Sequence, residues 1–343
     1  MDGTLRADLQ AAGVEVLVRP LAVLRRASMT PRGLARTGAA LARDAAGLAR
    51  LAHERAVALV HTNTSVTLGG SAAARLARIG HVWHLREIYT GFERFWPAYR
   101  RLLLTADAVP CISHATRAQL GASARAVVLH DGLAVAPARV QTGAARAALE
   151  LPPGAFVCAI VGRISPWKGQ DVLIRALADR ALAGTEVIAL VAGDAWGGRQ
   201  LRLEELRALA ARLGVAERVR FAGFRADVEN VYAAADVVAV PSTRPEPFGL
   251  VALEAAAAGC CVVAADHGGL PEIIADGRTG RLVAPGDPAA LAAAIARLRC
   301  DPGLRERLGS AAADDVRTRF APERLLARTQ ALYDDVLAAR KAG

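Results

Sequence analysis

Two glutamates, Glu246 and Glu254, flank the stretch Phe248-Gly249-Leu250, where a loop following an apolar run gives way to a helix. A helix that opens near Gly249 presents backbone N–H groups and the positive end of its dipole, which suits a diphosphate. Phe248, Gly249 and Leu250 supply those amides, and the glycine lets a bulky ligand come close to the backbone. Carboxylates beside a diphosphate repel it. Glu246 in the loop and Glu254 one helical turn beyond Leu250 are therefore better suited to accept hydrogen bonds from sugar hydroxyls. The plain alternative is a solvated loop Glu and a helix Glu on a polar face, but Glu254 stands in the apolar run Leu250 to Ala258, where a solvated Glu is unexpected.

A second constellation is Val161-Gly162-Arg163-Ile164-Ser165-Pro166-Trp167-Lys168-Gly169, between an apolar run and a helical one. Departure of a nucleoside diphosphate needs positive charge where negative charge develops, and without a metal that charge comes from side chains such as Arg163 and Lys168. Lysine occurs twice, at Lys168 and Lys341, against 41 arginines. A compact ammonium among guanidinium groups points to a role arginine does not fill, with a chance surface lysine as the alternative. No D-x-D triplet is present to bridge a metal, and neither G-x-G-x-x-G nor G-x-x-x-x-G-K-[ST] occurs. Cys111, Cys158, Cys260, Cys261 and Cys300 have no metal-ligand spacing and read as small buried hydrophobes.

Short apolar runs alternating with Ala/Leu/Arg-rich stretches along the chain are the pattern of parallel βαβ units, hence an α/β fold. Strand candidates in the first half are 14–18, 56–61, 81–85, 108–112 and 126–129; in the second they are 156–161, 187–191, 219–221, 237–240 and 261–264. Helices are expected from Pro288, Pro302 and Pro322. The expected division is a domain over 1–135, a linker over 136–154, a domain over 155–320, and a final helix over 321–343 that is a candidate to cross back. Two Rossmann-like, doubly wound domains in tandem place a cleft between the carboxyl ends of their sheets.

The length of 343 residues suits two domains, and 53% hydrophobic with 22% charged residues is a globular composition. The one charge-free run of about eighteen residues, 56–74, is interrupted by His61-Thr62-Asn63-Thr64-Ser65 and is too polar for a spanning helix, and Arg6 with the acidic residues near Met1 does not fit a secretory signal, so a cytoplasmic location is expected. Of the net charge of +10, residues 1–137 carry +8, from 17 arginines against 9 acidic residues. A basic face suits an anionic membrane, a lipid phosphate or nucleic acid, and general arginine richness is an equal alternative. Tyr89, Phe92, Phe95, Trp96 and Tyr99 interleave with Arg86, Arg94, Arg100 and Arg101. This segment reads as a peripheral contact with the inner face of the membrane, a core helix or a sugar platform.

The two constellations, together with Ala192-Gly193-Asp194, Phe221-Ala222-Gly223-Phe224, Pro241-Ser242, Gly268-Gly269-Leu270-Pro271-Glu272 and Thr279-Gly280-Arg281-Leu282-Val283, resemble glycosyltransferase family 4 over most of residues 155–330. The resemblance implies the GT-B fold, a retaining hexosyltransferase of the kind that builds cell envelope polysaccharide, no cofactor or metal, and a nucleoside-diphosphate-sugar as donor. It implies that Arg163 and Lys168 bind the diphosphate, Glu246 the transferred sugar, and Glu254 the ribose. Backbone near Gly223 and Phe224 meets the base, and Gly162 and Gly193 belong to the same donor site. His84, in Trp83-His84-Leu85-Arg86-Glu87, is similar to the family's cleft histidine near the reacting sugar. Catalysis is thus expected from His84, Arg163, Lys168 and Glu246, with no nucleic-acid partner and an acceptor left open. The first strand and glycine-rich loop of the family have no counterpart at Met1-Asp2-Gly3-Thr4-Leu5, so Met1 is expected to be an internal start. A glycoside hydrolase using the two carboxylates, a nucleic-acid-associated protein and an inactive or truncated GT-B binding protein are the rival readings.

Overall fold

The computed structural model describes residues 4–25, 30–133, 140–195 and 200–342. Met1, Asp2 and Gly3, and positions 134–139, which straddle the end of the expected first domain and the start of the expected linker, lie outside the described residues. The first half holds four parallel strands, β1 (Leu59–Thr62), β2 (Gly80–Trp83), β3 (Val109–Cys111) and β4 (Ala126–Val128). β1 pairs with β2 and β3 with β4, while the bridges Val82 to Ala108 and Leu85 to Cys111 join the two pairs. Residues 14–18 were expected as a strand and form none: Val14, Leu17 and Val18 are 49%, 50% and 70% exposed. Apolar alternation makes a strand only where a neighbouring edge takes its N–H and C=O groups, and this segment's bridge, Val23 to Thr67, comes later.

The second half is one parallel sheet of six strands, β5 (Phe156–Val161), β6 (Val187–Ala192), β7 (Val219–Gly223), β8 (Val237–Val240), β9 (Cys261–Ala265) and β10 (Arg281–Val283). Their spatial order is β10-β9-β8-β5-β6-β7. The chain starts in the middle at β5, builds outward through β6 and β7, then returns to β5's other side with β8. Alternate residues go to opposite faces: Val157, Ala159, Val238 and Val262 enter one core, and Cys158, Ile160, Val237 and Val263 the other. Strands covered on both faces read as unbroken apolar runs. The helices Pro288–Cys300 and Pro302–Arg319 open at their prolines, with Asp287 and Asp301 accepting backbone N–H bonds at 2.8–3.0 Å as caps.

The last helix, Pro322–Ala342, lies on the first half. Val336 packs with Val82 and Ala108, Tyr333 Oη meets His61 Nδ1 at 2.5 Å, and Arg340 reaches Asp107 at 3.0 Å. Of the five clustered aromatics, Tyr89, Phe92, Trp96 and Tyr99 close a core with Trp83 and Leu103, and Tyr89 stacks on Trp96 at 5.0 Å. Phe95, 48% exposed, faces outward. Among the described residues no helix is long and apolar enough to cross a membrane.

Because Val336 is 5% exposed, Val336→Asp buries a charge against β2. The expected result is a loss of roughly 2–4 kcal/mol in urea unfolding, with amide exchange accelerated in β1 and β2 before β5 and β6. Equal acceleration in both sheets would show that this helix does not hold the first half.

Candidate active site

In an open parallel sheet the crevice lies where strand order reverses, because the connections leaving two adjacent strands run to opposite faces. Here that point is between β5 and β8. Both constellations found in the sequence sit at its carboxyl end: residues 162–169 leave β5 and residues 241–249 leave β8.

The two loops are joined by a buried ion pair. Lys168 Nζ donates to Glu246 Oε1 at 2.7 Å, and Ser242 Oγ donates to the same oxygen at 2.6 Å. Glu246 is 5% exposed. The ammonium also lies 4.4 Å from the centre of the Trp167 ring, so its position is set by an aromatic face as well as by charge. Gly169 permits this approach: its φ is +79°, and a Cβ there would sit 2.0 Å from the Pro241 carbonyl oxygen.

Gly162, Gly193 and Gly223 stand at the ends of β5, β6 and β7. Gly162 N donates to Ala192 O at 2.9 Å and Gly193 N to Gly223 O at 2.7 Å. A Cβ on Gly193 would lie 2.0 Å from Gly162 O, so these strand ends fit together only without a side chain there. Gly162 and Gly193 border a cavity of about 510 Å³ that is also lined by Arg163, Asp194, Phe224 and Arg225. Arg163 is exposed on its wall, and Phe224 is 75% exposed at its rim.

Gly249 caps the helix Leu250–Ala257 with φ +113°. The space its Cβ would take belongs to Leu270 Cδ2, 2.6 Å away, so packing and backbone angle demand the glycine rather than ligand approach. Phe248 is buried, stacked on His130 at 5.8 Å and edge-on to Phe320 at 5.6 Å, which leaves only its backbone available. Leu250 is 44% exposed. Glu254 is half-buried and accepts from Tyr232 Oη at 2.8 Å. The structure thus gathers Gly162, Arg163, Lys168, Gly193, Gly223, Phe224, Glu246, Phe248, Gly249, Leu250 and Glu254 along the carboxyl ends of β5–β8.

His84 is placed by the first half. It follows β2, its backbone N–H bonds Thr62 O at 2.9 Å, and its ring stacks on His61 at 5.5 Å. It is 4% exposed with Nε2 unpartnered, and burial, aided by the Arg86 and His61 charges, lowers its pKa to about 3. A neutral imidazole follows across the physiological range.

Sequence reading missed several residues that shape this site. Ser242 and Tyr232 orient the two glutamates, and Trp167 seats the lysine. Gly268 and Gly269 lie flat on the loop backbone: their Cβ atoms would sit 2.4 Å from Glu246 O and 2.7 Å from Phe248 Cα. The carboxylates and Lys168 were visible from composition; that Lys168 holds Glu246 and Tyr232 holds Glu254 was not, because these partners are distant in sequence.

Two Rossmann-like α/β halves with parallel sheets, and a crevice at the reversal of strand order, define the GT-B class of fold. Residues 142–315 match the family described as glycosyl transferases group 1, and the chain belongs to that family. The Anabaena protein HepE, solved in complex with UDP and glucose, superposes with a TM-score of 0.80 at 30% identity, over 97% of this chain and 90% of its own. Sucrose-phosphate synthase from Thermosynechococcus elongatus gives 0.75 at 26% identity over 91% and 81%. A D-inositol 3-phosphate glycosyltransferase of Streptomyces bingchenggensis is 40% identical over 219 residues, 61% of this chain and 48% of that protein. The chain therefore spans about half the length of the curated relatives it matches.

Burial lowers the pKa of His84 to about 3, of His81 to about 4, and of His61 as well. Below the unfolded value of 6.5 the unfolded chain binds these protons and the native one does not, so stability is full above pH 6.5 and falls with pH beneath it. Unfolding free energies from urea titrations should be lower at pH 5 than at pH 7.5, by up to about 1.4 kcal/mol per pH unit for each histidine, with the midpoint moving the same way. Identical midpoints would contradict the burial of neutral imidazoles.

Proposed function

We propose that the chain is a retaining glycosyltransferase that moves a hexosyl unit from a nucleoside-diphosphate-sugar to a hydroxyl acceptor held by the first half. The observation that carries this reading is the pairing of Lys168 with Glu246 across the β5/β8 crevice, beside the start of the helix Leu250–Ala257. When a glycosidic bond to a diphosphate breaks, negative charge grows on the leaving oxygen. Lys168, Arg163 and the helix-start amides are the groups that meet it, and they do so without a metal in this proposal. Glu246, already neutralised on one oxygen by Lys168 and Ser242, accepts from hydroxyls of the transferred sugar with the other. Glu254, steadied by Tyr232, accepts from the ribose, and the base enters the cavity lined by Gly193 and Phe224, with the backbone of Gly223 next to Phe224 in the chain.

HepE's complexes with UDP and with UDP-glucose make UDP-glucose the first donor to test. The donor site is assigned to residues 155–320 and the acceptor side to residues 1–135, where the exposed Arg94, Phe95, Arg100 and Arg101 form the face proposed to meet an anionic membrane. Near His84 a neutral imidazole accepts or donates one hydrogen bond at the reacting sugar. A glycoside hydrolase is disfavoured, because a carboxylate tied to an ammonium makes a poor general acid.

Transfer is expected from UDP-glucose or another donor in a nucleotide-sugar panel, unaffected by EDTA. Lys168→Ala and Glu246→Gln are each expected to lower kcat/KM at least about 100-fold, roughly 3 kcal/mol of transition-state stabilisation. Tyr232→Phe should weaken UDP binding about fivefold, the worth of one hydrogen bond. Wild-type turnover by Lys168→Ala would overturn the assignment.

A further inference from the structure

We propose that Glu272 is a positioning residue that clamps the loop carrying Glu246 to the first half. Its Oε2 accepts from the backbone N–H of His114 and from His130 Nε2, both at 2.8 Å, and its Oε1 accepts from the N–H of Ala115 at 3.0 Å. All three donors belong to the first half, whereas Glu272 belongs to the short helix Leu270–Ile273 of the second. That helix is fixed to the loop: Gly269 N donates to Glu246 O at 2.8 Å, and Gly268 and Gly269 leave no room between themselves and residues 245–248. On the other side His130, held by the carboxylate, is the ring on which Phe248 stacks. One carboxylate therefore seats both the backbone behind Glu246 and the surface beneath Phe248. Burial pushes its pKa up, and His130 with the two amides more than offsets this, so the group stays ionised.

His114, His130 and Glu272 also bring ligand atoms within 4.8 Å of one another, the spacing of a metal site. The carboxylate, however, already accepts three bonds, and two come from amides that a metal would not displace.

The clamp rests on the proposed function only for its effect on turnover; its structural readout needs no activity. In the full chain, Glu272→Gln is expected to speed amide exchange at least fivefold both at residues 114–118 and at residues 246–250, with β5, β6 and β8 within twofold of wild type. His130→Ala should do the same at 246–250, and the double variant should add little to either. The UDP dissociation constant should rise no more than about fivefold, the loosening of the helix-start amides, while kcat falls at least tenfold, because the groups that bind UDP lie in the second half and only the reacting geometry needs both halves. Acceleration confined to 114–118 and 270–274 would overturn the clamp, as would equal losses in UDP affinity and kcat. Slowed exchange at 114–118 and 246–250 on adding zinc to metal-free wild type would also overturn it, in favour of a metal centre. Failure of UDP to bind wild type would count against the donor reading and leave the exchange result to decide the clamp.

Discussion

Glu246 places a carboxylate where 5% of the residue meets water, and Lys168 Nζ at 2.7 Å with Ser242 Oγ at 2.6 Å make that tolerable. Taking one partner away from such a pair strands a charge, at a cost on the order of 3 kcal/mol. The pair spans two loops that leave different strands, so it exists only if both loops keep their register. That requirement explains the surrounding glycines. Gly169 lets the Lys168 loop touch the Pro241 carbonyl, and Gly268 lets the next connection lie against the Glu246 backbone. The strand order places the two loops side by side in the first place, because β5 and β8 are neighbours although β6 and β7 lie between them in sequence. Topology brings the charges near, glycine removes the obstacles, and the ion pair closes the crevice.

The halves are tied at two separate places. Near the crevice, Glu272, His130, Phe248 and Phe320 interlock side chains from both halves. Away from it, the helix Pro322–Ala342 lies on β2 and reaches Asp107 through Arg340. The second contact combines an apolar patch with an exposed ion pair, and exposed pairs contribute little. The first joins aromatic packing to three directional hydrogen bonds on Glu272 and lies beside the loop that carries Glu246. Such an arrangement suits a molecule whose halves must meet at a defined distance around a ligand.

Legibility in the sequence followed burial. β5, β6, β8 and β9 are covered on both faces, so each reads as an apolar run whose ends are nearly right. β10 is three half-buried residues beginning with Arg281, too short and too polar to stand out. Residues 14–18 have the composition of a strand without a ladder, since pairing is a property of the neighbour rather than of the segment. Glu254 was conspicuous because carboxylates are rare among apolar neighbours, and Glu246 because it flanks the helix start at Gly249. Their pairings were not: Tyr232 precedes Glu254 by a strand and a loop, and Lys168, conspicuous by itself, precedes Glu246 by three strands. Gly249 was visible as a glycine, but its reason, the Leu270 side chain in the space of its Cβ, is a fact of three dimensions.

The family relation concerns the second half most directly, since residues 142–315 carry the match. We propose that the crevice between β5 and β8 takes a nucleoside diphosphate. A crystal structure of the chain with UDP tests it most directly. Diphosphate oxygens are expected about 3 Å from Lys168 Nζ and from the amides at the start of the helix Leu250–Ala257, with the uracil in the cavity beside Gly193 and Phe224. UDP bound elsewhere, with Lys168 and Glu246 still joined and untouched, would contradict it.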